Sequence, residues 1–402
     1  MKKQQIQNNM RKTIYTAKKL LAAAVLSLSL LSPQAVCAAD AGRNAVLFSG
    51  KLPVSDFADA HTVYAALSVN EAVTQVRSEL CRRTYEFSVT IPSSSYPDGD
   101  KASVDILAKA LSETDKGNEG DYIRFALKSY RYGYEVNYSG KMTIYYRIVY
   151  YSSYEDEKAV EKAAAEVISS LSLDGRSDYY KIRSLYDYVT SCASYAEDIS
   201  DERIFTAYGA LINGKCVCQG YSLLLYRLLK DSGIDCRILS GTSNGERHTW
   251  NMVRLCGEYY LLDPTWDASL GGSDGAFFMR GSVDFDVYSK EHRHIPVYEY
   301  EDIFPDYNSA EFMAAYPQSK KRFIFGDPNG NGIIDGNDAS YILSCYAAMS
   351  GSDFVMDAKT AELSDLTGNR IVDGIDASCL LAYYAAVSAG KKLSLNKFMS
   401  QR

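Results

Sequence analysis

Two spacings of apolar residues alternate along the chain and divide it before any composition is counted. After a first apolar block at 20–31, residues 82–90 alternate apolar and polar side chains as a strand does. Residues 102–111 switch to helical spacing, with Val104, Ile106, Leu107, Ala110 and Leu111 along one stripe. Tyrosine-rich alternation returns at 130–138 and 142–151, and Asn137-Tyr138-Ser139-Gly140 between them suits a hairpin turn. Residues 155–171 give the clearest amphipathic helix, with Val160, Ala163, Ala164, Val167, Ile168 and Leu171 on one face. A further helix is predicted over 179–190, an apolar one from Cys218, and two strands at 248–255 and 259–263. The stretch 306–325 is polar and follows Pro305, so it reads as a linker. The pattern predicts an α+β chain: a small α+β domain over 40–172, a second domain over 173–305, the linker, and a C-terminal block over 326–394.

The first 39 residues read as an export signal. Lys2, Lys3, Arg11, Lys12, Lys18 and Lys19 precede the apolar block, and Ala35-Val36-Cys37-Ala38-Ala39 offers a small-residue cleavage site. The block is shorter than the ~20 residues a membrane span requires, so the expected location is secreted and extracellular. Its removal takes six basic and no acidic residues, moving the formal charge from −7 to −13. Such acidity excludes nucleic acid and anionic membranes as natural partners. The eight remaining cysteines are scattered and have neither the spacing of a disulfide framework nor that of a zinc site. The 33 tyrosines against 14 phenylalanines suit solvent-facing sheets better than a dry interior.

Three local patterns carry chemistry. In Gly214-Lys-Cys-Val-Cys218-Gln-Gly-Tyr-Ser, followed by Leu223, Leu224, Leu228 and Leu229, a buried helix begins at Cys218. A sulfur in the first turn faces the positive end of the helix dipole, where a negatively charged nucleophile is favoured. His248-Thr-Trp-Asn-Met-Val alternates as a strand, Tyr259-Tyr-Leu-Leu-Asp263-Pro-Thr-Trp ends another, and Cys256-Gly257 joins them as a two-residue turn. Pairing Leu255 with Glu258 sets Trp250 opposite Asp263 and leaves His248 diagonal to Asp263 on one face, within hydrogen-bonding reach. Cys218, His248 and Asp263 are therefore candidates for nucleophile, base and orienter. His292 and His294 read as surface residues. No paired-carboxylate arrangement of the glycosidase kind stands out in 40–305.

The C-terminal block is an internal duplication. Asp327-Pro-Asn-Gly-Asn-Gly-Ile-Ile-Asp-Gly-Asn-Asp338 recurs 38 residues later as Asp365-Leu-Thr-Gly-Asn-Arg-Ile-Val-Asp-Gly-Ile-Asp376, each copy leading into an Ala-Ser helix. A hard cation such as Ca²⁺ takes six to eight oxygens, which a loop supplies at alternate positions. The first loop offers Asp327, Asn329, Asn331, the carbonyl of Ile333, Asp335 and Asp338; the second offers Asp365, Thr367, Asn369, the carbonyl of Ile371, Asp373 and Asp376. Thr367 is a poorer ligand than Asn or Asp, and Arg370 stands where the first loop has Gly332, so the second site is expected to bind more weakly.

Val-Cys-Gln-Gly-Tyr-Ser, His-Thr-Trp-Asn-Met-Val and Leu-Asp-Pro-Thr-Trp-Asp, in that order over about 175–270, resemble the transglutaminase-like family. The resemblance implies a papain-like catalytic fold with Cys218 as nucleophile, His248 as base then acid, and Asp263 as orienter, acting on peptide or glutamine carboxamide bonds in a protein or peptide substrate. Hydrolysis is favoured over crosslinking. The duplicated loops, with Asp at the twelfth position, resemble a type I dockerin, an all-α EF-hand-like module. That resemblance implies calcium-dependent folding and docking to a cohesin of a scaffold protein in a cellulosome-type assembly, with contacts around Leu343 and Ser344 or Ile375 and Leu381. No cofactor is expected in the catalytic domain. The alternatives are a non-catalytic subunit with a vestigial site, or a component of polysaccharide degradation.

Overall fold

The computed structural model describes residues 49–57, 67–271, 275–286, 293–296, 303–351 and 353–401. The export signal expected over 1–39 lies outside the described residues, as does His292. Helix α1 (Val69–Cys81) opens on a capping box between Ser68 and Glu71. Strand β1 (Glu86–Pro92) follows, then α2 (Gly99–Ala110) capped by Asp98, and the short α3 (Asp121–Ala126). The tyrosine-rich hairpin is β2 (Leu127–Val136) and β3 (Lys141–Tyr150), turning at 137–140 where the pattern placed it. The three strands form an antiparallel sheet in the order β1-β3-β2. Its buried face (Phe87, Val89, Ile144, Tyr146, Ile148) packs on Val76, Leu80, Ile106 and Leu107 of α1 and α2. Tyr130 and Tyr146 lie inside this core and Tyr138 is fully exposed at the tip, so packing and turn positions account for the tyrosines there.

Helix α4 (Tyr154–Ser170) lies on the N-terminal side of the expected boundary at 172. Its stripe, Val160, Ala164 and Val167, joins the second core rather than the first. An amphipathic pattern states which face is buried and not which neighbour buries it.

The second core is built from α5 (Asp178–Cys192), the parallel pair β4 (Ser194–Tyr195) and β5 (Lys215–Cys216), α6 (Ala207–Leu211) and α7 (Cys218–Asp231). Helix α7 packs on an antiparallel sheet ordered β8-β7-β6-β9, where β6 is Cys236–Ser243, β7 Glu246–Leu255, β8 Glu258–Leu262 and β9 His294–Pro296. Between β8 and β9 lies α8 (Pro264–Ser269). The two cores are tied by ion pairs: fully buried Asp121 receives Arg124 and Arg237, the latter at 2.7 Å, and the backbone N–H of Ile238 at 2.9 Å.

The segment expected as a linker is packed structure. Helix α9 (Ala310–Ala315) buries Phe312, and Tyr307 and Phe323 are also buried. Tyr259 of β8 donates to Pro317 O and accepts from Ser319 N, at 2.8 and 2.9 Å. Three aromatic anchors in a polar stretch do not register as periodicity, yet each fills a pocket in the sheet domain.

In the duplicated block, α10 (Gly336–Gly351) and α12 (Gly374–Ser388) pack through Ala339, Ile342, Ala377 and Leu380, with α11 (Ala358–Ser364) and α13 (Leu395–Met399) alongside. The second repeat contacts the start of α5. Glu362 of α11 accepts from the backbone N–H groups of Asp178 and Tyr179, capping α5, and Ser177 N donates to Gly368 O at 3.0 Å. A Cβ on Gly368 would meet the Tyr180 ring at 2.6 Å, whereas one on the equivalent Gly330 would meet nothing within 4 Å. Arg370 sits at φ 67°, a left-handed conformation that costs a side chain ~1–2 kcal/mol. Its guanidinium offsets this by donating to Arg176 O at 2.8 Å and to Asp178 at 3.0 Å. The departure from glycine at this position is thus a contact to α5.

Candidate active site

Cys218 is the first residue of α7 and 7% exposed. Leu223, Leu224, Leu225, Leu228 and Leu229 are all buried, and at roughly 1.5–3 kcal/mol for each they fix the helix that presents it. Gln219 Nε2 donates to Phe125 O and Phe205 O at 2.8 and 3.0 Å, fastening the first turn. Gly220 allows close approach: a Cβ there would lie 2.5 Å from Cys216 Cβ and 2.7 Å from Ile204 O. Asn251 Nδ2 on β7 donates to Ser222 O at 3.1 Å, linking the helix to the strand that carries His248.

The hairpin has the register that its turn implies. Leu255 pairs with Glu258 and Asn251 with Leu262, so the next step sets Trp250 against Asp263. Cys256 and Gly257 both have positive φ (52° and 86°), as a type I′ turn requires. His248 Nε2 lies 2.7 Å from Asp263 Oδ2. Asp263 leaves the strand to cap α8, its Oδ1 accepting from Thr265 N and Trp266 N at 2.9 and 3.0 Å, with Pro264 in the first turn. One carboxylate oxygen is therefore spent on the cap and the other on the imidazole. Tyr186 of α5 donates its hydroxyl near both Asp263 O (2.9 Å) and Asp267 Oδ2 (2.6 Å), supporting the cap from behind.

An ionised carboxylate only accepts, so Nε2 of His248 carries the hydrogen toward Asp263. The indole N–H of Trp266 is also directed at this nitrogen, from 3.0 Å. The other ring nitrogen, Nδ1, is buried with no hydrogen-bond partner, and Cys218 interacts with this ring. Burial alone would depress the imidazolium of His248. The charge and hydrogen bond of Asp263, followed by the interaction with Cys218, outweigh it and push its pKa up to about 10. Against the same burial, His248 and then His294 hold Asp263 well below the usual carboxylate range. Burial pushes Asp267 up to about 6. The structure thus brings Cys218, His248 and Asp263 together.

His294, expected at the surface, is instead part of this cluster. Its side chain is 2% exposed, with Nε2 3.0 Å from Asp263 Oδ2 and Nδ1 2.7 Å from Asp286 Oδ1. The position was hidden because it depends on the three-residue strand β9 pairing with β6, where Ser243 faces His294. The Nε2 and Oδ2 atoms of His248, Asp263 and His294 also have the spacing of a metal site, lying within 4.8 Å of one another. Separations of 2.7 and 3.0 Å between carboxylate and imidazole are those of shared protons, and we read the set as a hydrogen-bond network.

The loops of the duplicated block turn their side-chain oxygens inward. In the first, Asp327 accepts from Asn331 N and Gly332 N, Asn331 from Ile333 N, and Asp338 from Asp335 N. Asp338 is fully buried, yet its Oδ1 has no partner; burial, and then the charges of Asp327 and Asp335, raise its pKa. In the second loop, Asp365 accepts from Asn369 N and Arg370 N, Asn369 from Ile371 N, and Asp376 from Thr367 N and Asp373 N. Converging carboxylates with a buried oxygen unsatisfied are what a divalent cation would relieve. Among the described residues, none of the eight cysteines forms a disulfide.

Comparison with known proteins places part of this arrangement. Residues 165–264 match the model of the transglutaminase-like superfamily. Kyphoscoliosis peptidase of Mus musculus is 27% identical over 179 residues, 41% of this chain and 26% of that protein. Kyphoscoliosis peptidase of Homo sapiens is 25% identical over 185 residues, 42% and 27% respectively. The chain thus spans about a quarter of the length of these relatives. Among solved structures, one titled as a TGase shares 14% identity, covering 45% of this chain and 51% of that one at a TM-score of 0.25. A putative cysteine protease from Cytophaga hutchinsonii shares 13%, covering 35% and 63% at 0.24. Residues 165–264 thus resemble a transglutaminase-like domain, within a chain of mixed α and β structure.

Proposed function

We propose that this protein is a thiol enzyme that cleaves or transfers acyl groups at peptide or glutamine carboxamide bonds. The observation that carries this reading is the position of His248, bound through Nε2 to Asp263 while Cys218 interacts with the same ring. The Cys218 thiolate attacks the carbonyl carbon, and the oxyanion forms near the Cys218 backbone N–H, which at the first helical position has no intrahelical acceptor. His248 imidazolium then gives its proton to the departing amine, leaving a thioester on Cys218. Water, deprotonated by His248, releases an acid; a primary amine instead gives a new amide. Hydrolysis is the favoured outcome. Incubating the protein with a protein library, with and without a primary amine, and reading the products by mass spectrometry is expected to show new carboxylates or chain ends. Amine-tagged glutamines alone would make it a transferase, and an unchanged library would remove the activity.

The duplicated block is a calcium-binding dockerin in this reading, delivering a secreted enzyme to a scaffold cohesin. The inward oxygens of both loops support it, as does the exposure of Leu343, Ile375 and Leu381 along the helices that follow. Asp327, Asn329, Asn331, Ile333 O, Asp335 and Asp338 would hold one ion, and Asp365, Thr367, Asn369, Ile371 O, Asp373 and Asp376 the other. Calorimetric titration is expected to count two calcium ions, and Asp338→Ala to leave one. Calcium at 100 times its Kd should add about 2.7 kcal/mol to the stability of the block, and chelator should release a cohesin. Calcium-independent cohesin capture, or no calcium heat, would exclude a dockerin.

A further inference from the structure

We propose that His294 is a positioning residue for the Cys218–His248 pair: an imidazolium clamped between Asp263 and Asp286, it takes up part of the Asp263 charge and so sets how tightly His248 holds its proton. The inference rests on the thiol-enzyme reading above and concerns the regulation of the same site.

The placement follows from the sheet. On the inner strand β6, Gly241 pairs with His248 of β7 on one side and with Pro296 of β9 on the other, and Ser243 pairs with His294. Residues 241 and 243 face the same way. Gly241 puts no side chain beside His248, and the two imidazole rings lie with centroids 5.5 Å apart. Trp250 closes the cluster, 5.0 Å from the His294 ring, and Phe285 lies 4.2 Å from it.

The chemistry follows from the partners. Nε2 of His294 faces Asp263 Oδ2 at 3.0 Å, and Nδ1 faces Asp286 Oδ1 at 2.7 Å; the His294 backbone N–H also points at Asp286. Carboxylate oxygens only accept, so both ring nitrogens donate, and only the imidazolium has hydrogens on both. Asp263 Oδ2 thus serves two imidazoles with a single negative charge. The other charged or titratable groups around it are Cys218 from α7, and Asp267, which is held by Tyr186 and lies within reach of the Arg183 charge. An undivided Asp263 would hold the His248 proton harder. That would favour the ion pair with Cys218 but slow proton donation to the leaving amine. His294 moderates this.

Protonation can be read without turnover. The chain has four histidines, so ¹⁵N-imidazole resonances can be assigned one substitution at a time. In the full-length wild type, hydrogens are expected on both ring nitrogens of His294, each bonded to its carboxylate. His294→Gln keeps an N–H donor for Asp263 without the charge, and Asp286→Asn removes the second negative charge that stabilises the imidazolium, leaving an amide oxygen as acceptor. Each should raise the His248 titration midpoint by about one pH unit. The alkaline limb of kcat/KM should move with it, and kcat should fall while KM is unchanged. A neutral His294 at pH 7, or a His248 midpoint unmoved in both variants, would overturn the proposal. If the midpoints shift as expected but no thiol-dependent turnover exists in the wild type, it is the enzymatic reading that fails, not the electrostatic coupling.

Discussion

Cys218→Ala is expected to lower turnover by 10⁴-fold or more, about what the loss of a covalent nucleophile costs when its base and orienter remain. The mutant should fold normally, since only one sulfur, 7% exposed at a helix start, is removed. Cys218→Ser should be nearly as inactive, because a hydroxyl beside His248 does not ionise as a thiol does. Cys216, two residues away, is the control: it is fully buried, and burial raises its thiol well above the ordinary value. The same cause pushes Cys192 up to about 11 and Cys256 to about 12, and raises Cys81 and Cys236. Iodoacetamide at pH 6 should therefore modify Cys218 ahead of these five, and alkylated protein should behave as the alanine variant does. Equal labelling of Cys81 and Cys218, with activity intact in Cys218→Ala, would remove the nucleophile from the mechanism.

What the sequence disclosed is what short-range geometry controls. A two-residue turn at Cys256-Gly257 sets the pairing of β7 with β8, so the approach of His248 to Asp263 could be read from alternation alone. The start of α7 at Cys218 was legible because the leucines behind it leave no other helical face to bury. The contacts that escaped all span long stretches of chain. Asp263 and His294 are 31 residues apart, and they meet because β9 pairs with the glycine-containing C-terminal end of β6. Helix α4 was recognised as a helix, but not as a member of the second core. The cap that Glu362 places on α5 lies 184 residues from Asp178. Arg370 shows the point most plainly: compared only with its repeat it is a poor loop residue, and compared with α5 it is a contact.

Asp263→Asn is expected to be nearly as damaging as loss of the sulfur, by a different route. The amide keeps the shape, and its oxygen can still cap α8, receiving the N–H groups of Thr265 and Trp266. Its NH₂ then faces the Nε2 atoms of His248 and His294, where the carboxylate had accepted from both. His248 Nε2 becomes the acceptor, its proton moves to Nδ1, and the nitrogen facing Cys218 can no longer take one. A base held in the wrong tautomer costs about 10⁴-fold in kcat. Stability should fall as well, by roughly 3 kcal/mol, because two buried imidazoles lose their anion. The pH dependence of that loss carries a sign. His248 has a folded pKa of about 10, raised above 6.5, so its contribution is full below pH 6.5 and vanishes as pH rises through 10. Asp263 has a depressed folded pKa, so its contribution is full above its unfolded value near 4 and is lost only on further acidification. The stability difference between wild type and Asp263→Asn should therefore be largest between pH 4 and 6.5 and should shrink toward pH 10 in urea denaturation. A difference that is flat across that range would mean Asp263 acts only as a helix cap, and the imidazole–carboxylate pair would lose its place in the mechanism.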